Sequence, residues 1–239
     1  DNAGSTLTVR DELLNAVLCN CMDTAESCYQ PRKTSSLVDT FNSLAFYLYL
    51  RLASTVALRP VKEPFPSRTH YCSWQMLMTV KDKAVHHKHE RRLIVLSKQH
   101  TQLIDLHLAC AERIAGALGI EPPQRVASRV ANSRWKDFDN TFVASQLSAM
   151  LNSSIKTNTL RHVSIQQFMQ KMMTSSSYSQ SSVNLFTNHA RSNAYALNAH
   201  NLLPVRNFAH HQRQTLEQID NQYETLDARW LALSQELAK

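Results

Sequence analysis

Along most of the chain apolar residues return every three or four positions, the repeat of helices that bury one face. Leu13, Leu14, Val17, Leu18, Cys21 and Met22 share such a face and predict a first helix over Val9–Tyr29. Thr8 stands at its N-cap, Asp11 and Glu12 favour the positive end of its dipole, and Pro31 stops it. The stretch Ser36–Leu58 is the most apolar of all, with Phe41, Leu44, Phe46, Tyr47, Leu48, Tyr49 and Leu50 in close succession. Asp39, Asn42 and Arg51 interrupt it. The charge-free run Thr40–Leu50 falls short of the roughly 20 apolar residues of a membrane span, so a central core helix is expected.

The strongest pattern lies at the C-terminal end, in a helix expected over Arg206–Lys239. Leu216, Ile219, Tyr223, Leu226, Trp230, Leu233 and Leu237 alternate spacings of 3 and 4, the seam of a coiled coil or bundle helix. Asp220, Asp227, Arg229 and Glu236 flank this seam without forming a set for self-pairing. The expected use is packing on the chain's own helices or on a partner protein.

Breaks set the remaining boundaries. Arg59–Thr69 holds Pro60, Pro64 and Pro66 and reads as a connector. Helices are expected over His70–Val85 and Glu90–Leu118, with His86, His87, Lys88 and His89 forming a turn or an exposed helix middle. Gly119 terminates the second, and Pro122 and Pro123 prevent its continuation. Further helices are expected over Gln124–Arg134, Asp139–Ser153, Ser164–Met173 and Val183–Asn201. Ser164 and Gln167 fit a capping box. Ser-rich Thr174–Ser182 reads as a mobile loop, and Pro204 separates the last two helices.

Composition strengthens this picture. Glycine occurs only at Gly4, Gly116 and Gly119, too few for the turns of a β-sandwich or the phosphate loop of a nucleotide-binding fold. The expected fold is all-α: one multi-helix bundle, or two lobes hinged at Arg59–Thr69. In the latter case an N-terminal helical pair spans residues 1–58 and a main bundle spans 70–239.

Charge supplies the sharpest functional hint. The net charge is +7, and it is concentrated in the middle of the chain. From Arg59 to His100 nine Lys/Arg stand against three Asp/Glu, and from Pro122 to Arg213 ten stand against two. Such asymmetry suits a polyanion or an acidic partner. On the expected helix Arg125, Arg129 and Lys136 share a face, with Arg134 and Trp135 beside them. Lys81, Lys83, Lys88, Arg91 and Arg92 form a second basic stretch. Basic residues beside an aromatic suit phosphate contact with base stacking; the bland reading is a solvated basic face.

Other chemistry is weaker. Cys19, Cys21 and Cys28 lack the second ligand pair of a structural zinc site and read as small buried hydrophobes. His86, His87 and His89 sit among cations that would repel a metal. His107 and Cys110 lie three apart on one helical face, but among leucines, so a core cysteine is expected rather than a nucleophile. Asp137 and Asp139 diverge on a helix. No catalytic residue, metal ligand or cofactor is assigned. Five cysteines, an odd number, indicate no disulfide framework and fit the cytoplasm, although a chain that does not begin with Met also fits a processed, exported protein. The expected function is a non-enzymatic helical subunit of a larger assembly, touching nucleic acid through its basic middle and proteins through helical faces. The alternative is a helical adaptor or scaffold without nucleic acid, in a membrane-associated machine. An enzyme with a dispersed site is a third class.

Overall fold

The computed structural model describes residues 5–81, 91–152, 156–174 and 202–239. Its elements run α1 (Ser5–Cys28), α2 (Thr34–Ala53), β1 (Tyr71–Cys72), β2 (Leu77–Lys81), β3 (Arg91–Val95), α3 (Lys98–Leu118), β4 (Arg129–Ala131), β5 (Arg134–Lys136), α4 (Asn140–Leu151), α5 (Asn158–Thr174), α6 (Leu202–Asp220) and α7 (Glu224–Leu237). Helices hold more than half of the chain, and among the described residues none is long and apolar enough to cross a membrane. The expected turn at His86–His89, the Ser-rich segment Thr174–Ser182 beyond its first residue, the helix Val183–Asn201, Lys83 and Lys88 lie outside the described residues.

The apolar stretch behaves as its composition requires. In α2 Phe41, Leu44, Tyr47, Leu48, Leu50 and Leu52 are each no more than 1% exposed. A helix apolar all round must be wrapped on every side, and α2 packs against α1, α3, α5, α7 and β4. One hydrophobic cluster runs from Leu14 through α2 to Leu237, drawing residues from both sides of 59–69. That proline segment is itself anchored. Phe65 is buried against Tyr49 and Phe138, and Pro66 O and Arg68 N are hydrogen-bonded to Val126 N and Gln124 O.

Two expected helices are strands instead. In the described part of the first, 70–81, the chain forms β1 and β2, which with β3 make an antiparallel sheet in the order β1-β2-β3, and the helix expected from Glu90 begins only at Lys98, after β3. Met78 pairs with Ile94 and Val80 with Arg92, all four on the buried face. Their alternation with Leu77, Thr79 and Leu93 is a period of two rather than 3.6. Gln124–Arg134 holds no helix either: Arg129–Lys136 forms the β4–β5 hairpin, closed by Asn132 and Ser133 at φ 53° each. Two consecutive left-handed residues make the primed turn whose twist suits a hairpin. Scarce glycine did not forbid strands, because Asn132, Ser133 and Met76 take the left-handed conformation themselves, at roughly 1 kcal/mol each.

Helix ends show the local chemistry. Ser97 caps α3 by accepting from His100 N, while His100 Nδ1 accepts from Ser97 N, a capping box with histidine in the glutamate position. Gly119, at φ 65°, closes the other end of α3. Asp139 accepts from Phe142 N and starts α4. The box expected at Ser164 and Gln167 is not a helix start. α5 begins six residues earlier at Asn158, and Ser164 sits buried inside it. The expected C-terminal helix is also divided, since a 3-10 turn over Asn221–Tyr223 separates α6 from α7.

Candidate functional site

The C-terminal end of α2 is the buried junction of the molecule. Beyond Ala53 the segment Ser54–Leu58 stays inaccessible although it is no longer helical. Its backbone polar groups therefore need partners from elsewhere. Ala57, left-handed at φ 52°, receives them. Its N–H donates to Ser164 Oγ at 2.8 Å. Its carbonyl accepts from Arg92 Nη2 at 2.9 Å and from Arg161 Nη1 at 2.5 Å. Arg92 also reaches Val56 O at 3.4 Å. Arg92 comes from β3 and Arg161 from the first turns of α5, 69 positions apart in the chain, and both are over nine-tenths buried.

Two guanidinium groups on one carbonyl bring two full charges into close range. Half-buried Arg59 lies two residues further along. The α4 N-terminus is adjacent: Asn140 Nδ2 donates to Pro60 O at 2.8 Å, and Thr157 Oγ1, just before α5, donates to Asn140 Oδ1 at 3.5 Å.

The hairpin carries cations toward the same first turn of α4. Directly opposed antiparallel residues share a face, so Arg129, Ala131, Arg134 and Lys136 lie on one side and Val130 and Trp135 on the other. Arg134 and Lys136 are exposed, while the Arg129 guanidinium sits 3.7 Å from the centre of the Phe142 ring. Burial lowers the Arg129 pKa, against the pull of Asp139 and Asp137.

A second charged cluster lies deeper. Arg51, fully buried, donates through Nε and Nη2 to Asp227 at 3.1 and 3.0 Å and through Nη2 to Asp220 at 2.6 Å. Tyr47 Oη donates to Asp227 at 2.6 Å, and the Arg51 guanidinium stands 4.1 Å from the centre of the Tyr223 ring. His100 Nε2 lies 2.9 Å from Thr55 Oγ1 and 3.3 Å from Asp220 Oδ1. Because its Nδ1 accepts from Ser97 N, the ring proton belongs on Nε2. Burial lowers the His100 pKa despite Asp220, so the ring is neutral at neutral pH. Burial would raise Asp220, but the charge of Arg51 and hydrogen bonds from Ser97 and Arg51 outweigh it and hold the carboxyl low. Burial would likewise lower Arg51, and Asp227 and Asp220 overcome it. This network ties α2 to the C-terminal helices.

The basic residues expected to act together are thus divided. Arg125 is no longer on a helical face with Arg129 and Lys136; it sits between Glu63 at 2.6 Å and Asp137 at 3.0 Å. Trp135 turns inward, edge-on to Phe41, and its indole N–H donates to Glu121 O at 2.7 Å. The ring is half-buried. Lys81 is exposed at the end of β2, opposite Arg91, whereas Arg92 points into the core. Of the C-terminal seam, Leu216, Ile219, Tyr223, Trp230 and Leu237 are at most 2% exposed within this chain, with Leu226 and Leu233 half-buried against the same core.

The cysteine and histidine candidates fall into packing roles. Cys110 Sγ donates to Ser234 O, and burial pushes its thiol up to about 12. His107 stacks on Phe41, and burial lowers its pKa to about 3. This pair holds no thiolate and imidazolium. Cys21 is buried, and among the described residues no group of three or more His, Cys, Asp or Glu side chains could hold a metal.

No family model and no curated protein matches this chain.

Sequence reasoning missed Arg161 and the Arg51 network. The second left a signal: a single arginine in an otherwise apolar helix, and two aspartates seven apart beside a hydrophobic seam. A buried cation needs a carboxylate, and these were the candidates. Arg161, in a stretch without strong amphipathic contrast, left none.

Proposed function

We propose that this protein is a helical, nucleic-acid-binding subunit that holds the phosphate backbone where α2, β3, α4 and α5 meet. The observation that carries the reading is the convergence of Arg92 and Arg161, from distant parts of the chain, on the carbonyl of Ala57. Arginine forks suit phosphate oxygens, and a buried pair acts in a lower dielectric than a surface pair. The exposed cations Arg134 and Lys136 extend positive charge along the hairpin, whose Arg129 rests on the same first turn of α4 that bonds Pro60. Backbone contact of this kind gives affinity with little sequence preference.

The test is fluorescence anisotropy with labelled single- and double-stranded oligonucleotides over a salt series. Binding weakens steeply with salt, by about 0.7 to 0.9 log units in affinity per log unit of salt for each phosphate contact. Arg134→Glu with Lys136→Glu, both exposed, lowers that slope while leaving the circular dichroism spectrum unchanged. Arg161→Gln lowers affinity on all sequences alike. Absence of binding at low salt, alone or in its purified complex, removes this reading and promotes the adaptor without nucleic acid.

The same convergence supports a second reading, an enzyme acting on the phosphodiester it holds. Paired guanidinium groups stabilise charge that builds on a phosphoryl oxygen during transfer. Nicking or relaxation of supercoiled plasmid, lost in Arg161→Gln, distinguishes that enzyme from a passive binder.

A further inference from the structure

Among the described residues the large hydrophobic side chains that stay exposed are Trp74, at 82%, and Met173. Trp74 sits in the turn between β1 and β2, and the turn is braced from three sides. Asp105 of α3 accepts from Tyr71 Oη at 2.8 Å and from Ser73 Oγ at 2.5 Å, on either side of Cys72. Met76 N donates to Ser73 O at 2.9 Å, closing the turn with Met76 left-handed. Arg213 of α6 donates through Nη2 to the carbonyl of Gln75 at 3.1 Å and through Nε to Leu96 O at 3.2 Å. The indole is therefore held out on a fixed backbone, with a guanidinium at the residue beside it.

Burying a tryptophan removes about 150 to 250 Å² from water, so leaving one out on a rigid support forgoes a large gain. Ordering the support in advance cuts the entropy lost when a ligand arrives. A flat aromatic face next to a cation, on a chain of net charge +7, matches a nucleobase with its phosphate. We infer that Trp74 is a stacking platform for an unpaired base of a single-stranded nucleic acid, with Arg213 beside it on the backbone side. This inference rests on the nucleic-acid reading above and assigns the base-contacting role to Trp74 instead of inward-turned Trp135.

The chain contains three tryptophans, and Trp230 is fully buried while Trp135 is bonded inward. Trp135 is only half-buried, so quenching of indole fluorescence is read in the full chain carrying Trp135→Phe, where it reports chiefly on Trp74. Titration with an oligothymidylate single strand quenches this emission and shields it from acrylamide. Trp74→Phe keeps a smaller stacking face and part of the affinity. Trp74→Ala lowers single-strand affinity about 5- to 150-fold, as expected for one stacked base, with the salt slope and the affinity for duplex unchanged. Single-strand affinity unaltered in Trp74→Ala overturns the stacking role while the arginine site keeps its salt-dependent binding. Failure of every oligonucleotide to bind overturns both readings. Acrylamide shielding of Trp74 that grows with protein concentration alone, without oligonucleotide, overturns the stacking role in favour of self-association.

Discussion

Asp227→Asn tests the deepest charge cluster. The carboxylate is fully inaccessible and accepts from Tyr47 Oη at 2.6 Å, Arg51 Nε at 3.1 Å and Arg51 Nη2 at 3.0 Å. Asparagine keeps one acceptor and replaces the other with an NH₂ group that faces donors. Breaking a buried ion pair from one side costs about 3 to 5 kcal/mol, because the remaining charge stays desolvated. Arg51 retains Asp220 at 2.6 Å, which places the expected loss near the lower end, about 3 kcal/mol. For a chain of this size that corresponds to a fall in Tm of about 6 to 12 °C. Tyr47→Phe removes one hydrogen bond to a charged acceptor and costs about 1.5 kcal/mol. Replacing all three charges together, Arg51→Met with Asp220→Leu and Asp227→Leu, costs less than Asp227→Asn alone, since it leaves no orphaned charge. The assay is urea unfolding followed by far-ultraviolet circular dichroism. A loss below about 1 kcal/mol in Asp227→Asn, or a triple variant much worse than the single one, would refute the claim that desolvation dominates here.

Histidine burial predicts acid sensitivity. The pKa of His100 is lowered, and that of His107 is lowered to about 3. Both rings therefore bind protons more readily in the unfolded chain. Their contribution is complete above the ordinary histidine pKa of about 6.5 and is lost as pH falls toward the folded values. His107 alone removes about 2 kcal/mol between pH 7 and pH 5, and His107→Phe, which keeps the stack on Phe41, makes the fall in urea stability over that interval shallower. At the β4–β5 turn Ser133→Gly relieves a left-handed serine and gives the favoured Asn-Gly pair, raising stability by about 0.5 to 1 kcal/mol in the same unfolding assay.

Helical character, the central place of α2 and the boundary at Gly119 follow from local sequence. Apolar spacing fixes which face needs cover, and a left-handed glycine followed by two prolines ends a helix without help from the rest of the fold. The strands did not follow, because the alternation of Met78, Val80, Arg92 and Ile94 is too short to outweigh a helical background, and their turns use Asn132, Ser133 and Met76 where glycine is the usual signal. The basic residues were legible as a composition and not as a site. Lys136 was displaced from Arg125 by a hairpin, and Trp135 was turned inward by a bond to Glu121 O. The meeting of Arg92 and Arg161 at Ala57 was decided only by tertiary packing. Their separation of 69 positions carries no spacing rule, and what joins them is the need of a buried, non-helical carbonyl for donors once α2 has ended inside the core.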